Sequence, residues 1–260
     1  MSIMDCFSLK GKVALMTGGA GLYGTQIVSA LAQAGATTYI ASRNIEQLEI
    51  TARSQREEGY EVFALRLDQG DEKSIYQLRD EILRREQRVD ILVNNAVLRT
   101  MSGWQDDAEN FAKSMQINAT GVFMITRAFG DIMAQNGGGS IVNVGSIQGM
   151  IGPDASLYRD VGFTGYIPDY FFHKGGMINF TRFTASYYGP HNVRCNCISP
   201  GGLKTEKTHE EFVRRYSERT FLGRMGNNTD LMGIIVFLAS DASLYITGAN
   251  IPVDGGYTAK

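Results

Sequence analysis

Short apolar runs alternate with stretches of helical periodicity along the whole chain. The runs occupy residues 12–17, 37–41, 60–67, 90–93, 140–144, 193–198 and 249–253, and helical spacing fills most of the intervals. Strands that alternate with helices form βαβ units, because parallel neighbours need a crossover connection. The sequence therefore predicts an α/β fold of the doubly wound (Rossmann) type, with about seven parallel strands and helices on both faces.

No linker-like break divides this pattern, so residues 1–260 are expected to form a single domain. Two segments interrupt the alternation. Residues 148–168 combine Gly, Pro, Asp and aromatic residues without a regular period, and residues 201–220 begin polar. Long irregular segments in a compact domain are often functional, so we expect an inserted loop near the functional site and a substrate loop, respectively.

Charge and composition exclude several classes of partner. The 25 Lys and Arg against 27 Asp and Glu give a formal net charge of −2, so no strong field attracts nucleic acid or an anionic membrane. No apolar run approaches the ~18 residues of a membrane helix. Three cysteines cannot all pair, no Cys/His cluster has zinc spacing, and the N-terminal residues lack the apolar core of a signal peptide. We expect a cytoplasmic protein with no metal.

Glycines recur directly after the first apolar run. Gly18, Gly21 and Gly24 follow residues 12–17 and open the first predicted helix. Glycine lets the backbone turn tightly and approach a pyrophosphate, and the helix N-terminus offers free N–H groups to phosphate. In this position after a strand, the glycines predict a dinucleotide site; a glycine-rich turn of an empty α/β fold is the alternative.

The end of the second predicted strand indicates the type of dinucleotide. An acidic residue there would accept hydrogen bonds from a ribose 2′-hydroxyl and repel a 2′-phosphate. This chain has Ser42 and Arg43, which can both donate hydrogen bonds to a phosphate. NADP(H) is therefore favoured, and NAD(H) stays open because Arg43 could instead stack on adenine.

A tyrosine and a lysine lie one turn apart on the helix predicted for residues 170–188. Tyr170 and Lys174 therefore share a face of that helix. A phenol has a reference pKa near ~10, and a nearby ammonium favours the phenolate. The pair is a candidate acid/base, although an aromatic helix face with a snorkelling lysine would show the same residues.

These motifs resemble those of the short-chain dehydrogenase/reductase family, and the resemblance spans nearly the whole chain. The glycine loop is similar to the family's Thr-Gly-x-x-x-Gly-x-Gly, with Leu22 in place of the middle glycine. Residues 94–97 (Asn-Asn-Ala-Val) are similar to its Asn-Asn-Ala-Gly, and residues 199–205 contain its Pro-Gly turn. The resemblance implies a short, single-domain enzyme that uses NAD(P).

The resemblance also implies the roles of individual residues. Asn118 would hold a proton-relay water, Ser146 would orient a substrate carbonyl, and Tyr170 with Lys174 would exchange the proton. With these implied contacts added, the predicted cofactor-binding residues are Gly18, Gly21, Leu22, Tyr23, Gly24, Ser42, Arg43, Asp68, Asn94, Ala96, Tyr170, Lys174, Pro200, Gly201, Leu203 and Thr205.

The spacing between Ser146 and Tyr170 departs from the family pattern. They are 24 residues apart, about twice the spacing usual in the family. Tyr158 stands nearer the usual distance, but Gly162 follows it at four residues, so no lysine completes the pair. We therefore expect an insertion over the site, from which Tyr158, Arg159 and Asp160 could face the substrate.

The resulting expectation is an NAD(P)-dependent oxidoreductase that interconverts a ketone and a secondary alcohol, with Tyr170 as general acid/base. A small polar substrate, sugar-like or sugar-acid-like, is inferred by analogy with relatives that carry a similar insertion. Relatives also suggest a homo-oligomer, a homotetramer or a dimer. The alternatives are a sugar-nucleotide epimerase or dehydratase, which the glycine spacing favours, and a non-catalytic NADP-sensing protein.

Overall fold

Seven parallel strands form one sheet, in the order β3-β2-β1-β4-β5-β6-β7, in a computed structural model that describes residues 2–259. The strands are β1 (Val13–Thr17), β2 (Thr37–Ser42), β3 (Val62–Arg66), β4 (Ile91–Asn94), β5 (Gly139–Val144), β6 (Val193–Pro200) and β7 (Asn250–Val253). The predicted doubly wound fold is confirmed. The strand order reverses between β1 and β4, and such sheets bind ligands at the carboxyl edge beside that point.

Helices connect successive strands and cover both faces of the sheet. They are α1 (Gly24–Gln33), α2 (Ile45–Glu57), α3 (Glu72–Glu86), α4 (Ala108–Met115), α5 (Gly121–Gln135), α6 (Pro168–Tyr188), α7 (Glu210–Ser217) and α8 (Met232–Ala239). Side chains of β1 point alternately to the two sides: Ala14 and Met16 pack with α1, α2 and α8, whereas Val13 and Leu15 pack with α3, α5 and α6. Full burial of such a side chain contributes roughly 1.5–3 kcal/mol, so the sheet is stabilised from both faces.

The helical pattern of residues 111–135 predicts either one long helix or two abutting helices, and the structure has two. A π turn, Gln116–Thr120, separates α4 from α5. Gln69 explains part of this, because its side-chain amide donates to the carbonyl of Ile117 at 2.9 Å. A side chain that takes a carbonyl from the helical ladder locally alters the helix, and single π turns often occur at functional sites.

The apolar pattern of residues 228–240 predicts a last helix over that range, but the observed helix begins later. The side-chain oxygen of Asn227 accepts hydrogen bonds from the backbone N–H groups of Thr229 and Asp230, at 2.9 and 3.1 Å. Such local turns of Asn compete with helix formation. As a result, α8 starts only at Met232.

The two irregular segments pack against each other. Residues 148–168 include the single turn Ala155–Tyr158, and residues 201–220 include α7. Leu157 and Val161 share an apolar cluster with Phe212 of α7. The guanidinium of Arg219 donates to the Asp154 carboxylate and the Ser156 hydroxyl, both at 2.5 Å. Residues 148–168 and residues 201–220 are therefore joined by apolar and polar contacts.

Across residues 2–259, none of the helices is both long and apolar enough to cross a membrane. Within the same range, no group of three or more His, Cys, Asp or Glu side chains is placed to hold a metal ion. Cys6, Cys195 and Cys197 are free thiols.

Candidate active site

A single cavity of about 560 Å³ runs along the carboxyl ends of strands β1 to β6. Most of the residues predicted for the site line it: Gly18, Gly21, Leu22, Tyr23, Ser42, Arg43, Asp68, Ala96, Ser146, Tyr170, Lys174, Pro200, Gly201 and Leu203. Four predicted residues do not line it: Gly24, Asn94, Asn118 and Thr205. The cavity therefore joins the glycine loop at one end to the Tyr-x-x-x-Lys pair at the other.

Glycine is required at different positions of the loop for different structural reasons. Gly18 has φ +74°, and a Cβ there would lie 2.8 Å from the Cα of Ala96. A Cβ on Gly24 would lie 2.6 Å from the carbonyl oxygen of Gly18, so this glycine lets α1 begin directly against the loop. At Gly21 the nearest atom would be 3.8 Å away. The space beside Gly21 is open to the cavity, which suits the close approach of a phosphate.

Tyr23 connects the glycine loop to the turn after β6. Its hydroxyl donates a hydrogen bond to the carbonyl oxygen of Gly201 at 2.8 Å. Burial raises the pKa of the Tyr23 phenol, so the hydroxyl stays protonated and keeps this bond at neutral pH. Thr205 lies further along the same segment, where its backbone N–H donates to the hydroxyl of Thr208 at 2.9 Å, away from the cavity.

The two asparagines at the end of β4 make different contacts. The amide of Asn94 is buried in the sheet and donates to Thr126 at 3.0 Å and to Asn143 at 2.9 Å. Asn95, which the sequence reasoning did not select, lines the cavity, and its amide donates to the carbonyl of Gly18 at 2.8 Å. The signal was its position directly after a strand, where side chains reach the carboxyl edge of the sheet.

Ser146, Tyr170 and Lys174 meet at the other end of the cavity. Ser146 follows β5, and its hydroxyl oxygen accepts a hydrogen bond from the N–H of Gln148 at 3.1 Å. Tyr170 and Lys174 lie in the first turns of α6, which begins at Pro168, a residue suited to a helix start. The Lys174 ammonium donates to the carbonyl of Val144 and lies 5.7 Å from the centroid of the Tyr170 ring.

Burial lowers the pKa of Lys174, and the neighbouring Tyr170 acts in the opposite direction. Lys174 as a whole is 3% exposed, so its charge is little screened by water. A poorly screened positive charge beside a phenol favours the phenolate. The arrangement is suited to proton transfer at Tyr170.

Asn118 lies in the π turn and does not face the cavity. Its side-chain oxygen accepts from the N–H of Leu98 at 2.8 Å, and its amide donates to the carbonyl of Leu98 at 2.7 Å and to Ser114 at 2.9 Å. Asn118 therefore fixes the segment after β4 by binding both the backbone N–H and the backbone carbonyl of Leu98. That chain carries Arg99, whose guanidinium carbon lies 5.2 Å from the Tyr170 ring centroid.

The insertion supplies an aromatic wall, most of which sequence reasoning missed. Tyr158 lines the cavity, and its hydroxyl accepts a hydrogen bond from the amide of Gln148 at 3.2 Å. Phe163 contacts Tyr158 edge to face, with the ring centroids 5.8 Å apart, and lies 5.2 Å from Phe212 of α7. Residues 159 and 160, which the sequence also suggested, are exposed and do not line the cavity.

His173 lies between Tyr170 and Lys174 in the sequence but not in the cavity lining. It is 4% exposed, and neither ring nitrogen has a hydrogen-bond partner among residues 2–259. Burial, and then the charge of Lys174, lowers its pKa to about 3. The ring is therefore neutral at physiological pH and packs edge to face on Tyr170, with the centroids 5.3 Å apart.

The chain is similar to known proteins over nearly its whole length. A family model described as enoyl-(acyl carrier protein) reductase matches residues 21–258. Cyclopentanol dehydrogenase of Comamonas sp. strain NCIMB 9872 is 34% identical over 96% of this chain and 98% of its own length. The 2-dehydro-3-deoxy-D-gluconate 5-dehydrogenase of Escherichia coli K12 is 33% identical over 99% and 100%, respectively.

Solved structures of dehydrogenases superpose on the full length of this chain. A short-chain type dehydrogenase/reductase from Mycobacterium marinum superposes with a TM-score of 0.88 at 30% identity, and both chains are fully covered. A gluconate 5-dehydrogenase from Burkholderia cenocepacia J2315, solved with NADP and tartrate, superposes with a TM-score of 0.90 at 29% identity, also with full coverage.

The chain belongs to the short-chain dehydrogenase/reductase family. It is an NAD(P)-dependent oxidoreductase that acts on CH–OH groups and interconverts alcohols and ketones.

Proposed function

We propose that this enzyme interconverts a small polar ketone and its secondary alcohol with NADP(H), and that Tyr170 is the general acid/base. The observation that carries the proposal is the meeting of Ser146, Tyr170 and Lys174 in the same cavity as the glycine loop. The loop fits a dinucleotide, because Gly18 and Gly24 tolerate no Cβ whereas the space beside Gly21 is open. A bound nicotinamide supplies the hydride for reduction or accepts it in oxidation.

In the direction of reduction, the Ser146 hydroxyl donates a hydrogen bond to the substrate carbonyl and stabilises the charge that develops on its oxygen. Tyr170 then gives its phenolic proton to that oxygen as the carbon is reduced. Lys174 stabilises the resulting phenolate through its charge, because its ammonium lies 5.7 Å from the ring centroid. The aromatic wall of Tyr158, Phe163 and Phe212 excludes water from the reacting carbon.

The residues after β2 support NADP(H) as the preferred cofactor. Ser42 and Arg43 both line the cavity. Within the described chain, the Arg43 guanidinium donates no hydrogen bond and forms no ion pair. A free guanidinium at this position suits a ribose 2′-phosphate. Fluorescence titration with NADPH and NADH tests this: NADPH should bind at least tenfold more tightly, and Arg43→Gln should remove the difference. Equal affinities in the wild type would refute the preference.

A small polar substrate, sugar-like or sugar-acid-like, is proposed from the polar groups beside Tyr170 and from the relatives that are gluconate-type dehydrogenases. A panel of sugar alcohols, sugar acids and cyclic alcohols tests this proposal directly.

We further propose a homo-oligomer, because large apolar side chains are exposed on α6 and near the C-terminus, Phe183 and Tyr245 among them. Light scattering after gel filtration would give the number of subunits, and a monomer would refute the proposal.

The role of Tyr170 is tested by Tyr170→Phe, with Tyr166→Phe as the control because Tyr166 is exposed and does not line the cavity. General acid/base groups contribute roughly 10²- to 10⁴-fold to rate, so kcat should fall by that factor in Tyr170→Phe alone. The affinity for NADPH should stay within about twofold. A wild type that binds NADPH but turns over no member of the panel would instead support the sensor alternative.

A further inference from the structure

Arg99 is an exposed cation that lies over the Tyr170 ring. It lines the cavity, and its guanidinium carbon lies 5.2 Å from the Tyr170 ring centroid. Within residues 2–259 its guanidinium makes no ion pair and no hydrogen bond, which is also true of Arg53, Arg66 and Arg182. Unlike those three, Arg99 lines the cavity beside Tyr170, so its guanidinium is available to an anion bound there.

The charges around the cavity favour an anion at that end. The lining residues include two cations close to the Tyr170 ring, namely Arg99 and Lys174, and a single carboxylate, Asp68. Asp68 follows β3, which is four strand positions from β5 in the sheet. At about 4.8 Å per strand this is on the order of 19 Å, about two Debye lengths at physiological ionic strength. The end of the cavity at Tyr170 therefore has a positive potential, because no carboxylate among the lining residues lies close to Arg99 and Lys174.

The backbone that precedes Arg99 is also held in place before any ligand binds. Asn118 binds both the N–H and the carbonyl of Leu98, at 2.8 and 2.7 Å, and is itself fixed by Ser114 at 2.9 Å. A ligand that must order a mobile segment binds more weakly. Because two hydrogen bonds already hold this segment, a ligand of Arg99 has less of that cost to overcome. Asn118 is thus a positioning residue for Arg99.

We infer that Arg99 binds a carboxylate of the substrate, and that the enzyme acts on small hydroxy acids and keto acids in preference to neutral alcohols. This inference rests on the proposed function, because it places the reacting carbon at Tyr170. The short distance between Arg99 and Tyr170 requires the carboxylate to lie only a few bonds from that carbon. Gln148 and Tyr158 line the same end and can bind further hydroxyl groups of the substrate.

Kinetics with paired substrates tests the specificity. Arg99→Gln removes the charge, and Arg53→Gln is the control because Arg53 is exposed on α2 and outside the cavity. For a hydroxy acid, Arg99→Gln should lower kcat/KM by about ten- to a hundredfold, the range expected for loss of a charge-assisted hydrogen bond. For the corresponding neutral amide, kcat/KM should change by less than about twofold. An equal loss on both substrates, or no loss, would overturn the inference.

A binding measurement separates this inference from the proposed function. Calorimetry would titrate the enzyme–NADPH complex with tartrate and with threitol, which has the same carbon chain without carboxylates. Tartrate should bind the wild type and Arg53→Gln equally and bind Arg99→Gln at least tenfold more weakly, whereas threitol should not distinguish them. Arg99-dependent tartrate binding without turnover of any substrate would refute the proposed function alone. Tartrate binding that is absent, or independent of Arg99, would overturn the anion site itself.

Discussion

Gly24→Ala is expected to destabilise the folded protein, and Gly21→Ala is its matched control in the same loop. A Cβ on Gly24 would lie 2.6 Å from the carbonyl oxygen of Gly18 and 2.8 Å from that of Gly19. Both atoms belong to the backbone and cannot rotate away, so the loop and the start of α1 must separate. Overpacking of this kind costs roughly 1–3 kcal/mol.

The net effect of Gly24→Ala follows from two opposing contributions. Alanine has a better helix propensity than glycine by about 1 kcal/mol in a helix interior, but Gly24 is the first residue of α1, where the gain is smaller. With the backbone contacts at the upper end of the overpacking range, the net loss is about 1–2 kcal/mol. For a chain of this size, each kcal/mol lowers Tm by about 2–4 °C, which gives a decrease of about 2–8 °C.

Gly21→Ala should leave the stability of the folded protein nearly unchanged and should weaken cofactor binding instead. Its Cβ would meet only the carbonyl oxygen of Gly18, at an ordinary contact distance of 3.8 Å, so Tm should change by less than about 1 °C. The new methyl group would nevertheless project into the space beside the cavity that Gly21 lines, and it should weaken NADPH binding.

Differential scanning calorimetry without cofactor and fluorescence titration with NADPH measure the two effects separately. An unchanged Tm in Gly24→Ala, or an equal decrease in both variants, would refute the reasoning from backbone contacts.

Three further changes probe the surroundings of Tyr170. Burial lowers the pKa of His173 to about 3, so below pH ~6.5 the unfolded chain binds a proton that the folded protein does not. Between pH 7 and pH 5 the wild type should therefore lose about 2 kcal/mol more unfolding free energy than His173→Gln in urea titrations; parallel curves would contradict this. Arg219→Gln frees Asp154, so the insertion should be cleaved faster by protease and KM should rise more than kcat falls; unchanged proteolysis would show that apolar packing alone holds it. Lys174→Met removes the charge beside Tyr170, so kcat should fall at least about a hundredfold. Tm should not decrease, because burial disfavours that charge in the folded protein. A lower Tm would show that the hydrogen bond from Lys174 to Val144 outweighs the cost of desolvation.

Much of the sheet was predictable because its signals are local. Strand β1 is buried at every position, and a fully buried strand appears in the sequence as a short apolar run. α3 was expected at residues 72–86 and is found there. The π turn after α4 was not predicted, because part of its cause is the distant amide of Gln69. The late start of α8 has a local cause, the side chain of Asn227, but the turn that it forms resembles a helix start in sequence.

The sequence by itself determined the parallel fold and the family, and it predicted most of the site residues that line the cavity, because periodicity, glycine spacing and the Tyr-x-x-x-Lys pair are properties of neighbouring residues. The roles assigned to those residues stay predictions. The tertiary structure alone placed Arg99 beside Tyr170, turned Asn118 towards Leu98, and put Phe163 of the insertion against Phe212 of α7. These contacts join segments that are far apart in the chain, and their distances depend on the strand order and on how the loops cross the carboxyl edge of the sheet.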